Sequence, residues 1–163
     1  MPGIISKKAK AEKIIEKHAD MIYRIALQNL KNQADAEDIF QDVCITLLTK
    51  EAPLDDDAHI KHWLIRVTIN KCNNLKKSLW HKRTDSIDDY TELVAPQTQS
   101  VLEELFRLPA SYRNIIYLYY YEEYTVAEIA EILKKNKNTV NSQLQRARKK
   151  LKNILQEGDK DEK

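Results

Sequence analysis

Residues 125–152 read TVAEIAEILKKNKNTVNSQLQRARKKLK, and this stretch decides the fold. Apolar residues recur at three- and four-residue spacing in two short runs. The first holds Ile129, Ala130, Ile132 and Leu133; the second holds Val140, Leu144, Ala147, Leu151 and Ile154. That spacing predicts two amphipathic helices. Thr125 and Glu128 stand at the capping-box distance that starts the first, and Asn136 is placed to cap the second. Small Ala130 allows a close crossing between them. From Lys134 to Lys152 there are eight Lys or Arg residues and no Asp or Glu. A short capped helix followed by a cationic one has the order of a helix-turn-helix, whose second helix enters the major groove of duplex DNA. The positive charge supplies a salt-dependent hold on phosphates.

Eight side chains of the second helix, over residues 138–155, lie off its apolar stripe: Asn138, Thr139, Asn141, Ser142, Gln145, Arg146, Lys149 and Lys150. Asn, Gln and Arg present paired hydrogen-bonding groups to base edges, while Ser, Thr and Lys often meet phosphate. Charge alone would equally fit an ordinary solvated helix. Here charge, base-reading side chains and a capped preceding helix coincide, and DNA binding is the expectation.

The rest of the chain is helical by the same pattern. Of 163 residues, 42% are hydrophobic and 32% charged, which suits folded domains, and the net charge of +2 makes the basic character local. Only two glycines occur, Gly3 and Gly158, near the ends. Glycine-dependent phosphate loops and dinucleotide folds therefore have nothing to build on. No apolar run approaches the roughly 20 residues of a membrane span, and a signal-like apolar core is missing from the N-terminus. A cytoplasmic protein without membrane insertion is expected. Cys44 and Cys72 are isolated in apolar patterns and read as small buried hydrophobes, not as a disulfide.

Helices are predicted over 7–30 (Ile14, Ile15, His18, Met21, Ile22, Ile25, Ala26 and Leu27), over 34–49 and over 58–80. The second has Ile39, Phe40, Val43, Leu47 and Leu48 on its apolar face. Asp35, Glu37, Asp38 and Asp42 crowd its first turns, where acidic residues suit the helix dipole. In the third, Trp63, Leu64, Val67, Cys72 and Leu75 are core candidates. From Arg66 to Arg83, at and beyond its second half, there are six Lys or Arg residues and no carboxylate, which makes a second basic patch. Trp80, beside His81, Lys82 and Arg83, is expected to be partly exposed near DNA. Pro53 and Asp55 to Asp57 mark a loop between the second and third helices.

Residues 84–104 reverse the charge, with six acidic residues and no Lys or Arg. Residues 84–97 read as an acidic linker, also suited to rest against a basic patch. Beyond it comes a short helix through Val101, Leu102, Leu105 and Phe106, then Pro109 opening a helix that runs to Glu122. The predicted architecture is all-α: two small helical domains, 1–83 and 98–157, joined by the linker 84–97, the C-terminal one a helix-turn-helix.

Six of the eight tyrosines fall between Tyr112 and Tyr124. For Tyr117, Tyr119 and Tyr120, rings packed inward with hydroxyls at the surface are expected over a base-stacking platform. His59 and His62 offer too few convergent ligands for a metal. No nucleophile, base and orienter come together. No catalytic residue, metal or cofactor is expected, and the chain reads as a non-enzyme.

The two helical blocks, in this order, resemble an extracytoplasmic-function sigma factor of bacterial RNA polymerase over nearly the whole chain. DAEDIFQDVCITLL (35–48) is similar to the polymerase-binding helix of sigma region two, and HWLIRVTINKCNNLKK (62–77) to the following helix. LPASYRNIIYLYYYEEYTVAEIAEIL (108–133) and NTVNSQLQRARKKL (138–151) are similar to region four and its recognition helix. The resemblance implies that Asp35, Glu37, Asp38, Gln41 and Asp42 face the clamp helices of core RNA polymerase. It implies that the loop Glu51–His59 captures a flipped minus-ten base. Asn70, Asn73, Asn74, Lys76, Lys77 and Trp80 would hold the melting strands, and the recognition helix would read the minus-thirty-five element of promoter DNA. Arg113 matches the arginine that follows the family's LP motif, and Arg146 and Arg148 match its closing RAR. An anti-sigma protein, often membrane-bound in this family, is a further implied partner.

Four positions depart from the family pattern. Lys134 stands where glycine is usual and Asn136 where serine is. Gln143 replaces an arginine, and Asn73 or Asn74 an aspartate. A lysine at 134 is compatible with ordinary or mildly strained backbone angles, so a slightly altered turn is expected. A helix-turn-helix regulator that never engages polymerase is the alternative reading, and a polymerase-binding decoy a further one.

Overall fold

The computed structural model describes residues 2–51, 56–80 and 105–161. Among these residues the regular structure is helical throughout, with no strand. The chain divides into two compact units, Met1–Tyr90 and Thr91–Lys163. Several expectations lie outside the described residues: those on Pro53 and Asp55, on the Trp80 side chain, on His81, Lys82 and Arg83, on the 84–97 linker, and on Val101 and Leu102.

In the first unit α1 (Pro2–Leu30), α2 (Gln33–Leu48) and α3 (Asp57–Trp80) pack on one another. Its buried core is drawn from Ile22, Ile25 and Ala26 of α1, Ala36, Ile39, Val43 and Leu47 of α2, and Ile60, Leu64, Ile65 and Cys72 of α3. Each Val, Leu or Ile among them contributes roughly 1.5–3 kcal/mol by leaving water. The turn between α1 and α2 is two residues long. Lys31 takes a left-handed conformation at φ 55°, and the Asn32 side chain accepts the Asp35 amide at 2.9 Å to cap α2. Two buried polar side chains are satisfied locally: Asn29 Nδ2 donates to the Ile25 carbonyl and Thr68 Oγ1 to the Leu64 carbonyl. Trp63, Val67 and Leu75 are half-buried instead of fully enclosed, and Leu48 is exposed.

In the second unit Ala110–Ile116 forms α4, and a π-helical segment, Tyr117–Tyr121, continues it. α5 (Val126–Leu133) and α6 (Lys137–Asp161) complete the unit. Phe106, Leu108, Ile115, Leu118, Ile129, Ile132, Val140, Leu144 and Ala147 make its core. Pro109, expected to open this helix, is its N-cap, one position before the observed start at Ala110, with φ −56° and ψ 149°. The single helix expected up to Glu122 widens to π geometry, seen in the Glu122 amide bonding the Tyr117 carbonyl at 3.1 Å. One extra residue in the turn rotates the tyrosines, leaving Tyr120 and Tyr121 55% and 56% exposed. The inward packing expected for Tyr120 is therefore not what the fold provides. α6 continues through Asp161.

Candidate nucleic-acid and polymerase interface

The helix-turn-helix is built as its residues dictate. The Thr125 hydroxyl accepts the Glu128 amide at 3.1 Å, and the Glu128 carboxylate accepts the Thr125 amide at 3.0 Å. That reciprocal pair satisfies amides which the first turn of α5 cannot bond internally. At the other end Lys134 is left-handed, φ 54° and ψ 48°. Its amide bonds the Glu131 carbonyl at 3.3 Å and the Lys135 amide bonds the Ala130 carbonyl at 2.9 Å. This is a Schellman closure with lysine in the place glycine usually takes. The lysine holds the left-handed position at a steric cost, which is the mildly strained backbone that the sequence allowed. Asn136 Oδ1 then accepts the Asn138 amide at 2.8 Å and caps α6.

On α6, Val140, Leu144 and Ala147 are buried, and Asn138, Thr139, Asn141, Ser142, Gln145, Arg146, Lys149 and Lys150 are all exposed. These eight are the side chains expected to meet DNA, and the fold leaves every one at the surface. Their electrostatic settings differ. The Lys150 ammonium lies 5.5 Å from the Tyr112 ring centroid, while Arg146 and Lys149 extend into solvent. Gln143, partly buried, accepts from Lys135 Nζ at 3.4 Å. Arg148 is on another side of the helix. Its Nε donates to the Tyr120 hydroxyl at 2.5 Å, and its guanidinium lies 5.0 Å from the Tyr119 ring and 5.4 Å from the Tyr120 ring.

Arg113 is an internal brace. It is 5% exposed and donates through Nη1 to the carbonyls of Leu108 and Phe106, with the Phe106 ring alongside at 5.5 Å. Burial pushes its pKa down to about 10, which leaves it cationic at neutral pH. It satisfies carbonyls in the turn ahead of α4 and so fixes where α4 begins.

In the first unit the acidic surface lies along α2. Glu37, Asp38, Gln41 and Asp42 are exposed, and Asp35 is half-buried beside the Asn32 cap. Ile45, 59% exposed, and Leu48, 43% exposed, extend the same surface as apolar groups. Sequence reading missed Ile45 as a surface residue and assigned Leu48 to the core. Ile45 stands seven residues after Asp38, two helical turns along one face, and that spacing is the signal that would have found it.

α3 presents Asn70, Asn73, Asn74 and Lys77 to solvent. Lys76 is half-buried on the α1 side, its Nζ 3.5 Å from Asn29 Oδ1. Trp63, expected in the core, lies part-exposed with Lys50 Nζ 4.6 Å from its ring centroid. Lys71, absent from the expected set, pairs with Asp42 of α2 at 2.9 Å. The start of α3 is tied to α1 through Asp57, which accepts from Lys17 at 2.8 Å and lies 3.3 Å from the buried His18 Nε2. The Lys17 hydrogen bond, more than the contact with His18, holds the Asp57 carboxyl below its ordinary pKa.

Both cysteines are free, Cys44 half-buried and Cys72 fully buried. Burial raises both thiols, Cys72 to about 12. Among the described residues no group of His, Cys, Asp or Glu is gathered to hold a metal. Among them, too, no helix is long and apolar enough to cross a membrane.

Residues 14–82 match the family described as sigma-70 region 2, and residues 98–151 match sigma-70, region 4. The chain is 31% identical over 142 residues to the RNA polymerase sigma factor SigV of Bacillus subtilis, covering 83% of this chain and 84% of SigV. It is 26% identical over 164 residues to the ECF RNA polymerase sigma factor SigW of the same organism, covering 88% of each chain. In fold it is similar to the sigma factor RpoE of Bartonella quintana, solved with the anti-sigma factor NepR. The TM-score is 0.75 at 18% identity, covering 89% of this chain and 96% of RpoE. It is also similar to CnrH, solved with the cytosolic domain of CnrY, at a TM-score of 0.63 and 20% identity over 94% and 96% of the two chains. With region 2 and region 4 in their expected order on one chain, this protein belongs to the sigma-70 family, in the extracytoplasmic-function group of RNA polymerase sigma factors.

Proposed function

We propose that this sigma factor binds core RNA polymerase through the exposed face of α2 and directs it to promoters with α3 and α6. Residues 1–83 form the polymerase-binding and minus-ten module, 84–97 the linker, and 98–157 the minus-thirty-five module. The observation that carries the reading is the helix-turn-helix itself: a capped α5, a Schellman turn and an α6 whose polar and cationic face is open from Asn138 to Lys150. In the upstream major groove, Asn138, Asn141, Gln145 and Arg146 read base edges, and Thr139, Ser142, Lys149 and Lys150 meet phosphates.

On α2, Glu37, Asp38, Gln41 and Asp42 meet a basic surface of the polymerase clamp. Their charge orients the encounter and speeds it, while Asp35 serves mainly the helix start. Asn70, Asn73, Asn74, Lys76 and Lys77 hold the strands where the minus-ten element opens, and the loop before α3 takes up an extruded base. Extrusion costs a few kcal/mol, and less in a duplex that is already opening. The work is binding and strand separation, with no covalent step. The protein acts in the cytoplasm, and an anti-sigma protein is an expected partner, as NepR is for RpoE.

Transcription reconstituted from purified chain, core polymerase and a promoter library tests the reading. RNA should start at a defined subset of promoters. DNA binding without any polymerase-dependent transcript would overturn it in favour of a helix-turn-helix regulator.

A further inference from the structure

We propose that Lys71 is a further DNA-contacting residue, held against Asp42 in the free protein and released to a backbone phosphate when polymerase takes up that carboxylate. The inference rests on the reading above, in which α2 meets polymerase and α3 meets DNA.

Lys71 Nζ lies 2.9 Å from Asp42 Oδ2, with the two side chains 25% and 54% exposed. The pair joins the helix that carries the acidic surface to the helix that carries the exposed asparagines. Lys71 comes one residue after Asn70 and three before Asn74, so it lies about 60° from Asn74 around α3, on the flank toward α2. Its four-carbon stem spans that interval by rotation of the side chain alone. Lys76 on the opposite flank is placed against the neutral Asn29 amide. Of the two flanking lysines, Lys71 is the one whose described partner is an exposed carboxylate of the polymerase-facing helix.

Opposing charges at an exposed pair exchange partners readily, because solvent screens most of their attraction. A cation of the polymerase clamp competing for Asp42 would leave the Lys71 ammonium uncompensated beside the strand-holding face. A DNA phosphate is the anion available there. Assembly with polymerase thereby adds one positive charge to the DNA surface without moving a helix, and the free protein carries that charge masked.

The test is a four-protein cycle of wild type, Asp42→Asn, Lys71→Gln and the double variant. Each is titrated as the free full chain, at low salt, with a fluorescent forked duplex bearing an unpaired non-template strand. Asp42→Asn should tighten DNA binding about two- to threefold, the range that a screened surface pair permits. The gain should vanish in the Lys71→Gln background. Asp42→Asn binding no tighter than wild type, or an equal gain with glutamine at 71, overturns the proposal.

A second measurement uses the assembled holoenzyme on the same DNA across a salt series. Lys71→Gln should reduce the slope of log affinity against log salt by about one phosphate contact, and Lys71→Arg should keep it. An unchanged slope in Lys71→Gln overturns the proposal. The free-chain cycle requires no polymerase, so failure of this chain to start transcription would remove the functional reading while leaving the masking result to stand or fall by itself.

Discussion

Arg148 donates through Nε to the hydroxyl of Tyr120, a residue 28 positions earlier in the chain, at 2.5 Å. The link divides the RAR sequence into two unlike arginines. Residues two apart on an α-helix project about 200° from one another, so Arg146 and Arg148 cannot share one groove-facing surface. The π-helical turn at Tyr117–Tyr121 carries Tyr119 and Tyr120 to the flank where Arg148 emerges. Arg148 thus braces α6 against the π-helical end of α4, and Arg146 is left to read DNA.

Arg146→Ala should weaken binding to the upstream promoter element by about 1–3 kcal/mol and relax base preference at one position. Arg148→Ala should leave base preference unchanged and alter stability by no more than about 1 kcal/mol, as expected for an exposed aromatic–guanidinium contact. Titration of each variant against a set of single-base promoter changes separates the two. Equal loss of base discrimination in both would contradict the division of roles.

Lys134→Gly should stabilise the C-terminal unit. A non-glycine residue in the left-handed region carries a steric penalty of roughly 1–2 kcal/mol, and glycine returns part of this as added freedom in the unfolded chain. The expected net gain is about 0.5–1 kcal/mol, read as a higher denaturant midpoint with an unchanged slope. A loss of stability would mean that the Lys134 side chain contributes more than its backbone costs.

The fold was legible because helix signals in this chain are strong and local. Thr125 and Glu128, Asn136 and the spacing from Val140 to Ala147 each appear where sequence placed them, since caps and apolar stripes depend on near neighbours. What sequence did not disclose depends on non-local geometry. The π turn has no marker in LYYYEE, and it alone exposes Tyr120 to Arg148. The Lys71–Asp42 pair joins residues 29 apart, and no periodicity announces it. Leu48 reads as core because it follows Leu47, although only Leu47 faces inward. The left-handed lysines at 31 and 134 follow from composition: with glycine confined to positions 3 and 158, helix ends are closed by whatever residue is present.

Asp57 gives the N-terminal unit an acid sensitivity of definite sign. Its folded pKa is depressed, chiefly by the Lys17 hydrogen bond. The contact therefore contributes fully above the unfolded carboxylate value of about 3.9 and fades as pH falls through the lower folded value. Asp57 is half exposed, so solvent screening keeps the effect small. The stability difference between wild type and Asp57→Asn should be constant near neutrality and shrink below about pH 4. Denaturation of the two proteins from pH 7 to pH 3 measures it, and a difference that grows toward low pH would show the coupling assigned in the wrong direction.

Native-state thiol labelling distinguishes the two cysteines by the same physics. Reaction with an alkylating agent needs thiolate and access together. Cys72 has neither, being enclosed between helices with its pKa pushed up to about 12. Cys44 is half-buried and keeps contact with solvent, and burial raises its pKa. At pH 8 Cys44 should label first. Cys72 should label only as the three-helix unit opens, its rate falling in step with every variant that stabilises α1 to α3. Because Cys72 sits on the inner side of the helix that carries Asn70, Asn73 and Asn74, its protection also reports whether promoter strand opening disturbs α3. If α3 acts as a rigid strand-holding surface, Cys72 protection in the open promoter complex should match or exceed that in the free protein. Faster labelling in the complex would mean that α3 itself loosens to hold the strands.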